Sequence, residues 1–338
     1  MRHFDPDDVW TDQPQFDPYH RPETSNRLRA ELLRRYEGMS LNQVLPGRAV
    51  HNDHGSCHRI SGLERGALVR CTRARARTDL HSALELVPGI RDRMHERLAD
   101  EGYQSLNDLQ DHPRFGGDST RICELLSTGD TGGLMDLLAE RLSSSDPLVL
   151  RLAGFYRDTE FAFLDLETMG LFGGQPVVLA GIARPSRPNT IRFDQFLARD
   201  FPDEAALVAE VCRILDRTKV LVTYNGRSFD VPFLEQRAAY YGIAFPGIPV
   251  HFDLLHFCRR TWKHELNSCS LRSIEQNVLR LTRDEDLPGE LVPEFYQDFL
   301  RTRNPGLLKP IVEHNRQDII SLVSVFSSLV QHWFEDTE

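Results

Sequence analysis

The second half of the chain alternates short apolar runs with amphipathic stretches, a pattern typical of an α/β domain. Short runs of apolar and β-branched residues bounded by polar or glycine-containing segments are typical of buried strands. Stretches with an apolar residue every three or four positions are typical of helices packed on a sheet. The pattern predicts strands at 161–167, 177–183, 190–197, 219–224 and 251–254, and helices at 203–216, 230–241, 255–280 and 307–334.

The first half of the chain has a different pattern. Residues 1–26 are rich in Asp and Pro and poor in apolar side chains, so we expect them to be disordered. The apolar spacing at 27–36 predicts one short helix, and glycines then separate short β-like pieces between 44 and 78. The sequence Asn-Asp-His-Gly at 52–55 predicts a turn within this section.

A basic segment closes the β-like section. If this segment is extended, Arg73, Arg75 and Arg77 project from one face and form a basic stripe. Such a stripe suits a nucleic-acid backbone, but charged residues also protect an exposed edge strand from pairing with other strands. The sequence leaves both interpretations open.

Residues 80–112 predict two helices separated by Pro88-Gly89, with Gly102 at the position of a glycine that ends a helix. The segment resembles a helix-hairpin-helix module, which presents backbone N–H groups and a helix N-terminus to a phosphate of DNA. Such modules usually have a second glycine where this chain has Arg91, so we expect the Arg91 side chain to supply a phosphate contact. The alternative is a helical hairpin that packs only against protein.

Length and composition fit a soluble protein built from two parts. The chain has 338 residues, and we expect an N-terminal region at 27–150 and a second domain at 158–335. With 40% hydrophobic and 27% charged residues and no long apolar stretch, the sequence predicts no membrane partner. The N-terminus lacks a secretory or transit pattern, so we expect a cytoplasmic protein. The six cysteines form no Cys-x-x-Cys pair, and we expect reduced thiols.

The net charge of −10 does not by itself favour nucleic-acid binding, because Lys and Arg supply most of the affinity for phosphate. A metal-dependent nuclease, however, needs a cluster of carboxylates whose charge divalent ions cancel, and it needs only a local basic face. The net charge therefore decides little between these classes.

Candidate chemistry begins in the strand predicted at 161–167. Because alternate residues of a strand face the same way, Asp165 and Glu167 project together, roughly 6.5–7 Å apart along the chain. Two buried like charges are unfavourable without cations, so the pair suits Mg²⁺ or Mn²⁺, which prefer oxygen ligands. Acidic pairs with this spacing are also common on exposed strands, so the pair alone is a weak signal.

Later segments supply two further carboxylates. One runs from the strand at 219–224 through Asn225 into a helix that begins at or near Asp230. In a strongly periodic helix near the C-terminus, His314 and Asp318 lie four residues apart and share one face. Four acids therefore occur at strand, loop and helix positions.

Together these segments resemble the DEDD exonucleases of the RNase H-like superfamily. The resemblance lies in three motifs, each of which contains one or two of the acids: Asp165-x-Glu167, Asn225-x-x-x-Phe229-Asp230, and Asp318. Segments at 251–262, 268–275, 287–293 and 314–318 further resemble the YprB-type subfamily of predicted exonucleases.

The resemblance covers about 158–335 and, more weakly, the upstream hairpin. It implies an α/β fold: an RNase H-like domain with a mixed five-stranded sheet flanked by helices, after a smaller, mostly helical N-terminal region. It also implies a 3′-to-5′ exonuclease that uses two Mg²⁺ or Mn²⁺ ions. In the implied site Asp165 bridges both ions, Glu167 and Asp318 hold the ion on the water side, and Asp230 holds the other.

The chain departs from the resemblance at His314. DEDD enzymes have a His five residues before the last acid or a Tyr four before it, whereas His314 stands four before Asp318. His314 is a candidate to orient or deprotonate the attacking water, or else a histidine satisfied by helix packing. Asn225, Phe229 and Thr168 are candidate substrate contacts, although Phe229 also suits core packing.

Three classes of function stay open at this point. They are an exonuclease, a non-catalytic nucleic-acid-binding module, and an endonuclease or resolvase of the same superfamily. Only the hairpin segment favours DNA over RNA, so an RNA-directed exoribonuclease stays open too. The sequence predicts no oligomeric state.

Overall fold

The fold is built around a mixed β-sheet. The computed structural model describes residues 22–170, 174–283 and 287–334 of the chain. The sheet in this part of the chain has seven strands: β1 (Arg48–Asn52), β2 (Gly55–Arg65), β3 (Phe161–Thr168), β4 (Val177–Arg187), β5 (Thr190–Leu197), β6 (Val220–Thr223) and β7 (Val250–Asp253).

The strand order is β1-β2-β5-β4-β3-β6-β7. Neighbours from β1 to β3 in this order are antiparallel, whereas β3, β6 and β7 are parallel, so the mixed α/β sheet is confirmed. The predicted turn at 52–55 joins β1 to β2. The sequence predicts five strands and the sheet has seven, because this N-terminal hairpin pairs with β5, from His58 opposite Leu197 to Arg65 opposite Thr190.

Helices cover the faces of the sheet and make up most of the N-terminal region. They are α1 (Pro22–Arg35), α2 (Leu41–Val44), α3 (Arg73–Ser82), α4 (Asp92–Asp100), α5 (Gly116–Thr128), α6 (Thr131–Arg141), α7 (Pro147–Leu150), α8 (Glu204–Leu215), α9 (Asp230–Tyr240), α10 (Leu254–Trp262), α11 (Leu271–Ile274), α12 (Val292–Thr302) and α13 (Lys309–Phe334).

The side chains of β3 alternate between two packed layers. Phe161 and Phe163 lie against Phe326 of α13, with ring centroids 5.9 and 6.3 Å apart. Leu164 and Leu166 face the opposite way, into the apolar layer that includes α8 and α9. Because both faces are covered, a shift of one residue would bury the wrong side chains, and the register of β3 is strongly specified.

The basic segment that contains Arg73, Arg75 and Arg77 forms α3 and is not extended. Thr72 caps this helix, since its hydroxyl accepts a hydrogen bond from the backbone N–H of Arg75 at 3.2 Å. One face of the helix is anchored in the core by Leu80, which is fully buried. Alternate residues of a helix point in different directions, so the basic stripe predicted from Arg73, Arg75 and Arg77 is wrong.

The helical hairpin lies earlier in the chain than 80–112. Its first helix, α3, ends at Ser82, its second, α4, begins at Asp92, and turns follow Gly102 up to α5. Gly89 has a φ of +89°, which glycine adopts without strain, and this residue makes the bend between the helices possible. The apolar positions of the segment are buried as their spacing predicts: Leu84, Val87, Ile90, Leu98, Leu106 and Leu109.

The helix predicted at 27–36 is present as α1, which begins at Pro22. Most of the segment expected to be disordered lies outside the described residues. Arg29 of α1 pairs with Glu294 at 2.8 Å and with Asp298 at 3.1 Å, and so ties the N-terminal helix to α12. Within the described ranges, no helix combines the length and the apolar character needed to cross a bilayer.

Candidate active site

Asp165 and Glu167 lie near the end of β3 and have the same parity as Phe163. The face of β3 that packs on α13 in the interior therefore continues into two carboxylates at the strand's end. Glu167 is 7% exposed, so its carboxylate is largely removed from water. The strand thus aims both acids at α13.

Helix α13 brings two more titratable side chains to this place. As predicted, His314 and Asp318 share one face of the helix, with His314 Nε2 3.5 Å from Asp318 Oδ2. The same Nε2 atom lies 4.0 Å from Oε1 of Glu167. The helical spacing of His314 and Asp318 and the strand spacing of Asp165 and Glu167 therefore converge on one site.

Asp230 reaches the site from the first residue of α9. Its Oδ1 accepts a hydrogen bond from the backbone N–H of Leu166 at 3.0 Å, between the two acids of β3. A tight turn before the helix makes this possible. Asn225 there has a φ of +60°, and Gly226 packs so closely on Thr223 that an added Cβ would lie 2.3 Å from its Oγ1.

The carboxylate of Asp253 holds this turn in place. It accepts hydrogen bonds from the backbone N–H groups of Asn225 at 2.7 Å, Arg227 at 3.0 Å and Leu255 at 3.2 Å. Nearby, His251 Nε2 lies 2.8 Å from the hydroxyl of Thr223. These contacts fit a structural role for Asp253 and His251.

Arg283 lies among the acids, and nothing in the sequence predicts its presence there. Its guanidinium pairs with Asp318 and lies 3.2 Å from Nδ1 of His314. On its other side it pairs twice with the fully buried Glu275, at 2.5 and 2.8 Å. Neither spacing nor periodicity relates position 283 to the helix that it contacts.

Asn315 is a second residue of the site that sequence reasoning did not single out. Its Nδ2 group donates to Asp165 twice, to Oδ2 at 2.7 Å and to the backbone oxygen at 3.1 Å. Its own Oδ1 accepts from Gln195 at 2.9 Å. The available signal is that Asn315 follows His314 directly, within the polar run at 313–318 of α13.

The side chain of Asn315 packs directly against Gly181 of β4, where a larger residue would not fit. A Cβ at this position would lie 2.1 Å from Asn315 Oδ1, closer than any real contact. We expect Gly181→Ala to displace Asn315 and release Asp165, and so to lower activity by about tenfold or more, since misplacing a positioned group by an ångström costs catalysis heavily. Activity and the circular dichroism spectrum, measured together, check this.

The matched control is Gly247→Ala. An added Cβ at Gly247 meets nothing within 4 Å, so this variant should keep the activity of the unaltered chain. Equal activity in Gly181→Ala and Gly247→Ala would mean that the packing of Asn315 against Gly181 is unimportant.

The acids raise one another's affinity for protons. Burial raises the pKa of Asp165 well above its ordinary value, and the neighbouring charges, first that of Asp318 and then that of Glu167, raise it further. Burial raises the pKa of Asp230 to about 7. Burial raises the pKa of Asp318 as well, although the nearby histidine and arginine oppose this shift. The site is thus a buried concentration of negative charge, in which Arg283 is paired with Asp318.

The donor chemistry of the site fits a hard divalent cation. Carboxylate oxygens are the ligands that Mg²⁺ and Mn²⁺ prefer, and a cation would relieve the mutual repulsion of the acids. Within the described ranges, however, no three acidic, histidine or cysteine side chains lie close enough together to form a metal site as they stand. Each of three acids instead bonds a protein group: Asp165 with Asn315, Asp230 with Leu166 and Asp318 with Arg283. A carboxylate has several lone pairs, so these bonds leave room for a metal after small side-chain rotations.

The candidate substrate contacts have different surroundings. Asn225 is exposed at the turn before α9. Phe229 is half-buried, with its ring 5.3 Å from that of Phe233. This packing agrees with the alternative that Phe229 belongs to the core. The hydroxyl of Thr168 donates to the backbone oxygen of Gly170 at 2.7 Å and closes the end of β3.

Arg91 belongs to the hairpin and not to the carboxylate site. It is exposed at the N-cap of α4, where its backbone is extended. Together with Gly89, Arg93 and Arg97 it lines a shallow concave surface. Three arginines and one acid, Asp92, therefore lie around the N-terminus of this helix.

Comparison with known families decides which group this site belongs to. The profile of the RNase_H_2 family, of the RNase_H superfamily, matches residues 162–330. The chain belongs to this family. The matched residues contain all four carboxylates, from β3 to α13. Membership supports a nuclease that acts on nucleic acid.

A relative of the same kind is the "Uncharacterized protein YprB" of Bacillus subtilis (strain 168). It is 38% identical to this chain over 175 residues, which cover 51% of this chain and 42% of the relative. The match therefore spans less than half of the relative's length, and identifies the chain as a YprB-type member of the superfamily.

Solved structures show weaker likenesses. One is the family B DNA polymerase from the hyperthermophilic archaeon Pyrobaculum calidifontis, with 18% identity over 51% of this chain and 26% of the polymerase and a TM-score of 0.39. Another is the apo form of a nuclease, with 15% identity over 54% of this chain and 89% of that one and a TM-score of 0.26. Both TM-scores are too low to add to the family assignment.

Proposed function

We propose that this chain is a divalent-metal-dependent exonuclease that removes nucleotides from the 3′ end of nucleic acid. The observation that carries the proposal is that Glu167, Asp230 and Asp318 all lie close enough to Asp165 for their charges to raise its pKa. Four carboxylates at one largely buried place cost stability unless cations compensate them. They are therefore expected where a reaction needs bound cations.

In this proposal Asp165, Glu167, Asp230 and Asp318 would hold two Mg²⁺ or Mn²⁺ ions. Bound there, the ions would activate the attacking water and stabilise the leaving 3′ oxygen. The chain's own part is to hold the carboxylates in place through the buried hydrogen bonds described above, since outer contacts of this kind orient metal ligands.

The substrate side of the proposal rests on exposed groups. The exposed Asn225 is proposed to hydrogen-bond the terminal nucleotide, and the partly exposed ring of Phe229 to stack against it. Thr168, the last residue of β3, lies beside the acids and is proposed as a further substrate contact. Arg91, at the N-terminus of α4, is proposed to contact a phosphate, which favours DNA as the substrate.

The experiment is a panel of single- and double-stranded DNA and RNA, labelled at either end and incubated with the full chain and Mg²⁺, Mn²⁺ or EDTA. We expect a ladder that shortens from the 3′ end with either metal and no cleavage in EDTA. Cuts at internal positions would instead indicate an endonuclease. Binding without cleavage of any substrate would indicate a non-catalytic module.

The same panel tests the hairpin when binding is measured over a series of salt concentrations. We expect Arg91→Ala to weaken DNA binding in low salt and to reduce its salt dependence by about one phosphate contact. Unchanged binding and salt dependence would leave the hairpin as a module that packs only against protein.

A further inference from the structure

We propose that Arg283 is a positioning residue that fixes the proton of His314 on Nε2, so that this imidazole donates a hydrogen bond in the active site and does not act as the general base. The inference rests on the proposed nuclease function for its consequence, but the tautomer itself can be tested without any activity. It also settles the role of the residue at which the chain departs from the DEDD pattern.

The guanidinium of Arg283 is anchored from behind. Glu275, which is fully buried, accepts from it through both carboxylate oxygens, at 2.5 and 2.8 Å. Ser321 of α13 donates to the same carboxylate and ties it to the helix. A two-pronged contact of this kind fixes the plane of a guanidinium, which a single contact does not.

The Nη1 atom of the same guanidinium determines the tautomer of His314. Arg283 Nη1 lies 3.2 Å from Nδ1 of His314. A guanidinium has five N–H donors and no acceptor, so Nδ1 must be the acceptor in this contact and carries no proton. In a neutral imidazole the proton is therefore on Nε2.

The Nε2 atom is the one that faces the carboxylates. It lies 3.5 Å from Asp318 Oδ2 and 4.0 Å from Glu167 Oε1, and both oxygens are acceptors when ionised. The other oxygen of Asp318, Oδ1, accepts from Arg283. Arg283 and His314 thus hold Asp318 from two sides.

A general base needs the opposite arrangement. The nitrogen that faces the site must have a free lone pair to take a proton from water. With Arg283 in place that lone pair is on Nδ1, which faces the guanidinium, and is already used. His314 is therefore suited to orient Asp318 and Glu167, or a water between them, as a donor.

The direct test is the tautomer in the full chain labelled with ¹⁵N-histidine, kept in EDTA while the pH is raised until the nitrogen shifts of His314 are those of a neutral ring. His314→Gln identifies the signals of His314 by their loss. We expect a protonated Nε2 and an unprotonated Nδ1. A protonated Nδ1 would overturn the proposal, whatever the activity of the chain.

The kinetic test compares two substitutions of His314. The amide of Gln can donate a hydrogen bond near the place of Nε2 but cannot accept a proton as a base, whereas Ala does neither. We expect His314→Gln to stay within about tenfold of the unaltered chain and His314→Ala to lose about a hundredfold or more in kcat. Equal, large losses in both variants would restore the general-base role.

Arg283→Lys tests the positioning role itself. Lysine keeps the positive charge but cannot bond Glu275, His314 and Asp318 at once. We expect mixed tautomer signals for His314 and a fall in kcat with KM for the nucleic acid little changed. Arg301→Lys, at an exposed arginine of α12 paired with Asp298, is the matched control and should change neither. Unchanged tautomer signals in Arg283→Lys would count against the proposal, and absence of any cleavage by the unaltered chain would count only against the proposed function.

Discussion

Asp165→Asn is expected to lower the metal-dependent nuclease activity by about a thousandfold or more while the fold stays intact. Asp165 is the acid whose pKa is raised by each of the other three, so it lies at the centre of the charge cluster. Removing its charge takes away one of the carboxylates that would hold the ions. The substitution is nearly isosteric, and an asparagine oxygen can still accept the hydrogen bond from Asn315. Initial rates on an end-labelled substrate check the expectation.

The control is Asp194→Asn, at another buried aspartate of the same sheet. Asp194 is paired with Arg59 at 2.6 Å and Arg184 at 2.7 Å, so its loss should lower the free energy of unfolding but leave the activity of the folded molecules. If Asp165→Asn degrades substrate as fast as the unaltered chain, the active site lies elsewhere.

Local periodicity predicts the faces of three of the four candidate acids, whereas Asp230 is grouped with them by the resemblance to DEDD exonucleases. The parity of a strand fixes that Asp165 and Glu167 share a face, and the period of a helix fixes that His314 and Asp318 do. The apolar residues of the same elements, such as Phe163, determine which face is turned inward. Each of these is a property of a short segment.

The residues that hold the acids could not be found in this way. Arg283 reaches Asp318 across 35 positions, and Asn315 reaches Asp165 across 150, and both contacts exist only because the whole chain has folded. A lone arginine or asparagine has no periodic signature. Whether the imidazole of His314 faces the acids as donor or acceptor is decided by such a contact and not by its spacing.

The incorrect parts of the sequence analysis have the same origin. The extended interpretation of the segment with Arg73, Arg75 and Arg77 relied on local composition, but the cap at Thr72 and the burial of Leu80 stabilise a helix there. The two additional strands belong to a hairpin whose partner, β5, is more than a hundred residues away in the chain. Tertiary packing chose between alternatives that the local pattern allowed.

In EDTA, the unaltered chain is expected to lose stability as the pH rises toward and through about 7. The ordinary pKa of Asp230 is 3.8, and burial in the folded chain raises it to about 7. A carboxyl with a raised pKa in the folded state binds protons more tightly there than in the unfolded chain. Its contribution to stability is therefore complete below about pH 4 and is lost as the pH rises through about 7. Asp165 and Asp318 are shifted in the same direction and add to the loss.

Asp230→Asn separates this effect from other titrations. The asparagine oxygen can still accept from Leu166, but no charge is buried at high pH. Near pH 8.5 in EDTA the variant should therefore have a free energy of unfolding a few kcal/mol higher than that of the unaltered chain, because each unit of pKa shift is worth about 1.4 kcal/mol. A higher unfolding temperature is the measurement that checks this. Toward pH 6.5 the difference should shrink, since Asp230 is then increasingly protonated. Histidines with lowered pKa, such as His251 at about 4, change little in this window.

Bound metal should make the unaltered chain more stable than Asp230→Asn. An ion that binds only the folded chain stabilises it by about 2.7 kcal/mol at a hundred times its dissociation constant. We expect Mg²⁺ or Mn²⁺ to raise the unfolding temperature of the unaltered chain at high pH and to raise that of Asp230→Asn much less. If the metal raises both equally, Asp230 is not a ligand. If neither the pH nor the metal distinguishes them, the negative charge of the site is compensated from within the protein, and Arg283 is then the group that compensates it.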